Sequence, residues 1–486
     1  MPTGVQVQIG ASAGPGSGDD TLEAQLFLVG TSSRGDVTKP IVARSYSELL
    51  ELTGPRTTGG FAHDSARSYF GNNEGTGRVV FSRVIGPATP DSGIAVLLEA
   101  GAPGPQTMSI RASSPGPWSA GLTAVVTAGF SAATFNITIS LLGAEVESFK
   151  NLSSPTAAVA AMANSNYVRG ANLGSVTVAP GNNPTPASYT FMPGTDDVAN
   201  VTVTHLLAGL DRFTPEFGPG IVAIPGQPAS AVAVGIAAHC NSPAHPRSGV
   251  IAAAVGSTPA QIQAAARSLR TTVGAQTLRL VGPWWGLPAD GEAGIRTVPP
   301  EGYYAGRRAA VIGQVGVWQP PAGEFGVALY GTGPEYAMTT DQRSSLADDA
   351  AIPIVATPSP RIYGDRSLSP DEVTWREGCW WDVMTVLAWR CDAVMEKFMG
   401  RNIDGLKGEF FKRMQTDLSG VLQPVAKAGG LVPSDTDPGW TIDLSANTGA
   451  TVTAGKGIAD VGARPPGVAE LILIRLTKVG LTINAG

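Results

Sequence analysis

The chain carries few residues with which to do covalent chemistry. Its four histidines are His63, His205, His239 and His245, and its three cysteines are Cys240, Cys379 and Cys391. They crowd only in AAHCNSPAHP, which holds His239, Cys240 and His245. Imidazoles and a thiolate so spaced could ligate zinc, but the commoner meaning of such a set is a helix end and its loop. No metal is expected. Cys379 and Cys391 fall in one predicted helix, on or beside its apolar stripe, where core packing is expected. GNNEGTGR (71–78) and GTGPEY (331–336) have the glycines of a phosphate cradle. Neither is GxGxxG between strand and helix, nor GxxxxGK[ST], so both read as turns. The adjacent pairs Asp196–Asp197 and Asp348–Asp349 read as solvated turn residues. The tryptophans between 375 and 389 could stack a ligand, yet at helical spacing a core or packed interface is expected. There is no GxSxG elbow and no HExxH. No nucleophile, base and orienting group come together, so neither an enzyme nor a cofactor is expected.

The elements that would have to position such a site are nevertheless well marked. The chain has 486 residues, 43% hydrophobic and only 15% charged, with 61 glycines and 38 prolines. That composition suits several packed domains and excludes a disordered chain. The net charge is −6, without a Lys/Arg block, which disfavours direct binding to nucleic acid or an anionic membrane. No apolar run reaches the ~18 residues of a membrane span, and no signal peptide is recognisable, so synthesis in a reducing cytosol is expected.

Residues 22–88 alternate strand and helix: LEAQLFLVG, then SYSELLELTG, a helix from His63 to Phe70, and the strand RVVFSRVIG. Between 91 and 195 charge almost vanishes, and short Ser/Thr/Val alternations separated by turn residues predict a β-domain of the sandwich type, broken by one helical run, SPTAAVAAMANSNYV. Strand–helix units then resume: GIVAIPG, ASAVAVGIAAHC, SGVIAAAVG, TPAQIQAAARSLRTTVG with Gly274 at its end, and TLRLVGPWWG as one strand. These predict a parallel, doubly wound sheet into which the β-domain is inserted. Two long helices follow. One is expected to bury Trp380, Met384, Leu387, Cys391, Val394 and Phe398, the other Leu406, Phe410, Met414, Leu418 and Leu422. The expected division is an N-terminal arm and linker at 1–20, the first α/β part at 21–88, the β-domain at 89–197, the main α/β domain at 198–352, a C-terminal domain at 353–467, and a C-terminal strand and arm at 468–486.

Both ends read as strands beyond the last packable domain. Val5, Val7 and Ile9 alternate with glutamines and are followed by ASAGPGSGDD, which cannot pack. Leu471, Ile472, Leu473, Ile474, Leu476, Leu481 and Ile483 form the other apolar segment, after a Gly- and Pro-rich approach. A lone strand on a tether adds nothing to its own fold, and unpaired strands are an aggregation hazard. The economical reading is strand addition: each arm completes a sheet in a neighbouring subunit. Such a heterologous contact propagates into a ring or a helical filament.

Six segments, in order, carry a resemblance that runs through nearly the whole chain. They are VGTSSRGDVTKPIVARSYSELLELTG (29–54), RVVFSRV (78–84), RASSPGPWSAGL (111–122), VPPEGYYAGRRA (298–309), GVWQPPAGE (316–324) and PRIYGDRSLS (360–369). Together they resemble the contractile tail sheath proteins of bacteriophages, related to the sheaths of R-type pyocins and other contractile injection systems. The chain departs from the pattern at Pro320–Gly323, where the family usually has Ala-Pro-Ala-Asn, and in the tryptophan density of its C-terminal helices. The resemblance implies an α/β core that is subtilisin-like in fold and not in activity. It also implies a six-start helical sheath around a tail tube, with the C-terminal domain facing the tube and the β-domain outermost. The implied partners are further copies of the chain, the tail tube protein, and baseplate and tail terminator proteins. The implied location is a virion tail, assembled in the host cytoplasm. The alternatives are another self-assembling structural protein, such as a surface-layer or capsid component, and an α/β hydrolase.

Overall fold

The structure is a computed structural model, and it describes residues 22–57, 60–98, 106–131, 133–172, 183–243, 246–289 and 294–469. The two terminal segments expected to act as arms, with Val5, Val7, Ile9, Leu471, Ile472, Leu473, Ile474, Leu476, Leu481 and Ile483, lie outside the described residues.

Along the chain come β1 (Leu26–Gly30), β2 (Ile41–Ala43), α1 (Tyr46–Thr53), α2 (Ala62–Asn72) and β3 (Val79–Arg83). A β-rich excursion follows, with β4 (Ile94–Leu98), β5 (Gln106–Ala112), β6 (Leu122–Ala128), β7 (Phe135–Leu141), β8 (Ala144–Leu152), α3 (Pro155–Ala161), β9 (Val168–Asn172) and β10 (Ala187–Thr190). The chain then resumes alternation through α4 (Val203–Ala208), β11 (Ile221–Ala223), α5 (Ala229–Cys240), β12 (Ser248–Ala252), α6 (Pro259–Leu269) and β13 (Leu278–Gly282). Next are β14 (Trp285–Pro288), β15 (Ile295–Val298), α7 (Glu301–Gln314), β16 (Gly333–Pro334), α8 (Thr340–Asp348), β17 (Ala351–Val355) and β18 (Arg361–Ile362). The last elements are α9 (Gly378–Met395), α10 (Glu409–Lys427), β19 (Trp440–Asp443), α11 (Gly449–Thr453) and β20 (Asp460–Ala463).

Eight strands form the central sheet in the order β18-β17-β13-β12-β11-β1-β3-β2. The six inner strands are parallel, and both edges are antiparallel. Burial on both faces explains why these strands are near-continuous apolar runs. Phe27 and Val29 of β1 point to a core shared with α4, α5, α6 and α8, whereas Leu26 and Leu28 point to a core shared with α2 and α7. The excursion folds as two antiparallel sheets, β10-β6-β7-β8 and β4-β5-β9, contributing to a single apolar cluster of their own. In β6 and β7 every second residue is buried, which is the period of a half-covered strand.

Several expectations change in the structure. TLRLVGPWWG is two strands: β13 stops at Gly282, and β14 leaves for a small sheet with β15 and β16. Pro283 has no amide to continue the ladder. Helix α6 ends at Leu269, and Gly274, at φ 83°, opens a separate short turn. The border expected between 352 and 353 falls inside β17, whose Ile352 and Pro353 pair with Val281 and Gly282 of the central sheet. In α9 the buried side is Cys379, Asp382, Val383, Val386 and Leu387; of the expected stripe within the helix, Leu387 is buried, while Trp380, Met384, Cys391 and Val394 are only partly covered. That shift arises because the helix is packed on two sides, against the central sheet and against α10. Phe398 is buried, but in a short turn after the helix. Leu406 lies before α10 and is exposed, because that helix starts only where Asp404 accepts the amides of Glu409 and Phe410 at 2.7 and 3.0 Å.

Helices α2 and α7 approach closely through glycine. A Cβ on Gly302 would lie 2.0 Å from the carbonyl oxygen of Ser65, and one on Gly306 would lie 2.6 Å from that of Tyr69. Backbone cannot yield as a side-chain tip can, so Gly302→Ala should cost about 1–3 kcal/mol, more than its gain in helix propensity returns. Urea unfolding of the variant checks this. A midpoint at or above the wild-type value would show that the helix pair separates freely.

Candidate functional site: the switch-point crevice and the sheet's opposite edge

In a doubly wound sheet the place to look for chemistry is the crevice at the carboxyl ends of the strands where their order reverses. Here that point lies between β1 and its neighbours β3 and β11. A cavity of about 330 Å³ opens there, lined by Thr31, Phe61, Thr202, Val203, Leu206 and Gln227 among others. Among the described residues no ionisable side chain lines it. Its polar side chains among those residues are the hydroxyls of Thr31 and Thr202 and the amide of Gln227.

The expected site residues are dispersed. His63 is buried, with its Nε2 2.9 Å from the hydroxyl of Thr53. His205 closes the capping box of α4 with Thr202. His239, in the last turn of α5, faces Arg247 with Nε2 3.0 Å from the guanidinium, so that nitrogen accepts and is no metal ligand. His245 lies outside the described residues. Burial pushes the Cys240 thiol up to about 12, raises Cys379 well above the ordinary thiol value, and takes Cys391 to about 11, so none is a ready thiolate. Among the described residues no group of three or more His, Cys, Asp or Glu could hold a metal ion.

The two aspartate pairs are not simple solvated turns. Asp196 is buried against Arg83 at 2.8 Å, and Asp197 accepts the amide of Ala88 at 3.1 Å. Asp349 takes a two-pronged contact from Arg267 at 2.7 and 2.8 Å, while Asp348 stays exposed.

Polar chemistry instead gathers at the opposite end of the sheet, where α9 crosses the amino ends of β12 and β13. Asp382 of α9 receives Arg279 of β13 at 2.6 Å on one oxygen. The Ser248 hydroxyl of β12 donates to that same oxygen, and the other oxygen receives Arg308 of α7 at 2.7 and 2.8 Å. Burial alone would pull both guanidinium groups down, but Asp382 and Asp365 outweigh it and hold them above the ordinary value. Burial would likewise raise Asp382, and the two arginines hold it below the ordinary carboxylate value. Asp365 accepts the phenol of Tyr304 at 2.5 Å and the amide of Cys379 at 3.0 Å, anchoring the first turn of α9. Gly378 must be small, since a Cβ there would lie 2.5 Å from Arg279 Nε.

The tryptophans belong to the same seam. Trp381 donates to the carbonyl of Arg247 at 2.7 Å, Trp380 to that of Pro466 at 2.9 Å, and the Trp389 ring lies over Gly218. Trp381 and Trp389 fasten α9 to the central sheet. Sequence reasoning passed over the charged cluster, although it left a signal. Arg279, Arg308 and Asp382 each interrupt an apolar run, and charges so placed are buried only when paired.

No family model and no curated relative matches the sequence. Solved structures do match. A sheath tail protein from Listeria innocua superposes with a TM-score of 0.63 at 12% identity, covering 91% of this chain and 94% of that one. The sheath complex of an extracellular contractile injection system, PVC, in its contracted state gives 0.55 at 13% identity, over 98% and 95% of the two chains. The contracted helical sheath of the anti-feeding prophage gives 0.53 at 13% identity, over 98% of each. Over 91–98% of its length the chain has the fold of contractile tail sheath proteins.

Proposed function

We propose that the chain is a structural subunit of a contractile tail sheath, without enzymatic activity. The observation that carries this reading is end-to-end similarity to a subunit whose structure was solved as a helical sheath, over 98% of both chains.

In this reading the central sheet is the subtilisin-like core and the excursion at 89–197 is an outward-facing domain. The region after 353 faces a tail tube, and copies join in six helical starts and contract against a baseplate. The assembled particle is a tail or injection machine, built in the host cytoplasm. The arms at 1–20 and 468–486 join neighbours by strand addition. The pair β19–β20 is a fitting acceptor: it is a two-stranded sheet with no third strand among the described residues, so its outer edges are open.

Negative-stain microscopy of the purified chain tests the reading. Tubes or rings are expected, and monodisperse particles at high concentration would refute it. Removing residues 1–18, or the end from Lys478, should give a soluble, cooperatively melting monomer that forms no tubes. Tubes from either truncated chain would show that the arms do not carry assembly.

A further inference from the structure

We propose that the loop from Thr31 to Pro40 clasps the β-rich excursion, with Arg34 as its pin, and thereby fixes that domain's orientation on the central sheet. The clasp is a property of the single subunit and does not depend on the assembly reading.

The chain crosses between the two parts twice, outward after β3 and back before α4. The crossings are zipped together. Gly86 donates to the carbonyl of Asp196 at 2.9 Å, and Asp91 and Thr195 exchange both backbone bonds, at 2.9 and 2.8 Å. A Cβ on Gly86 would lie 2.0 Å from the carbonyl oxygen of Asp197, so only glycine permits this approach. Arg83, fully buried at the root of the stalk, binds Asp196 at 2.8 Å and the carbonyls of Ser32 and Gly35 at 3.1 and 2.9 Å. A two-stranded stalk resists stretching, but it is also an axis about which a domain can rock. Fixing orientation requires a contact away from that axis.

Arg34 supplies it. Its guanidinium carbon lies 5.6 Å from the ring centre of Trp118 and 4.7 Å from that of Tyr167, both in the excursion. Cations over aromatic faces at these distances are held by the ring quadrupole, and more strongly when water is excluded. Arg34 is only 7% exposed. On the core side it is tethered by its own amide to the carbonyl of Thr53 at 3.0 Å, and its guanidinium also donates to the carbonyl of Glu51. Next to it, the amide of Gly35 donates to the hydroxyl of Ser114 at 2.9 Å. Trp118 is braced in turn, donating to the carbonyl of Ser114 at 3.1 Å, and Ser113 donates its amide to the carbonyl of Tyr167 at 2.8 Å. The segment RASSPGPWSAGL is thus the counterpart of SSRGD. One presents an arginine on a fixed loop; the other presents the Trp118 ring, beside Tyr167 of the excursion, and a Ser114 hydroxyl that receives the amide of Gly35.

Spin labels on cysteines introduced at Phe130, in the excursion, and Val273, in the core, report the orientation as a distance distribution; both sites are largely exposed. Cys391 is replaced by serine in this background, since Cys240 and Cys379 are buried. The parent should give one narrow distance. Arg34→Ala should at least double the width, and Arg34→Lys, which keeps charge but loses the flat guanidinium, should fall between. Arg267→Ala, on the core surface, should leave the width unchanged. An Arg34→Ala distribution as narrow as the parent's, or a broad one in the parent itself, overturns the clasp. If Arg34→Ala fails to fold by circular dichroism, Arg34→Lys decides: an unchanged width overturns the proposal and a broadened one supports it.

Discussion

Replacing Asp382 with asparagine should destabilise the protein by roughly 3–5 kcal/mol, because it leaves two buried guanidinium groups facing each other with only the more distant Asp365 as counter-charge. Arg279 and Arg308 are each 1% exposed, so water cannot take over the lost charge. Their pairing with Asp382 is short and made from three directions, by β13, α7 and the hydroxyl of Ser248 on β12. The loss should therefore fall on the seam between α9 and the sheet. Trp381, whose indole bonds the carbonyl of Arg247, reports on that seam. Its fluorescence should move in urea at lower concentration than in the wild type, ahead of or together with the main transition. The comparison that separates burial from mere charge loss is Asp417→Asn. Asp417 meets Lys397 at 2.7 Å, but the two side chains are 29% and 48% exposed. A surface pair of that kind contributes about 0–1 kcal/mol. Equal effects from the two substitutions would mean that the seam is wet and the cluster is not a joint.

The contrast between these two ion pairs also explains what could be read from the sequence. Apolar periodicity is a local signal, and it located β1, β3, β11 and β12 as well as helices α1, α2 and α5. The glycine-rich turns were legible for the same reason: Glu74, Gly75 and Gly77 all adopt positive φ in GNNEGTGR, which forms a turn and no phosphate cradle. The joints were not legible. Asp382 meets Arg279 across 103 positions, and Arg83 meets Asp196 across 113. No window along the chain contains both partners. The misplaced stripe of α9 has the same origin. A helix packed on two sides, with a carboxylate on the buried side, does not show the single apolar face that a moment-based reading seeks. The split of TLRLVGPWWG could have been anticipated, since proline inside a central strand argues against the strand.

The familiar segments also gain physical meaning. VPPEGYYAGRRA runs from the end of β15 into helix α7, and many of its residues have a task. Gly302 and Gly306 admit the backbone of α2, Tyr304 and Arg308 enter the buried cluster, and Tyr303 stacks on Trp285 with 4.3 Å between ring centres. PRIYGDRSLS delivers Asp365 to the start of α9. Motifs that look weak singly are here the parts of an interlocked centre.

Glu301, at the start of the same helix, should make stability fall as pH rises, and Glu301→Gln should abolish that part of the dependence. The side chain is 1% exposed, and burial pushes its carboxyl up to about 8, against the opposing pull of the backbone amides of Glu301 and Ala252. In the unfolded chain it titrates as an ordinary glutamate near 4.3–4.5. Below that pH both states hold the proton, and the group has no effect. Between that pH and about 8 the unfolded chain gives up its proton while the folded chain keeps it, so each pH unit favours unfolding by about 1.4 kcal/mol. Above about 8 the loss levels off at roughly 3–5 kcal/mol. Glutamine keeps the shape of the neutral acid and cannot ionise. Relative to wild type, the variant should therefore be about equally stable at pH 4.5 and more stable by a few kcal/mol at pH 8.5. The difference between the two proteins isolates Glu301 from other titrating groups, such as Asp392, which burial and the nearby Glu396 push up to about 7. Urea unfolding of both proteins at a series of pH values measures it. Parallel curves would show that Glu301 is ionised in the folded state with its charge compensated, and a gap that widens toward low pH would reverse the assignment.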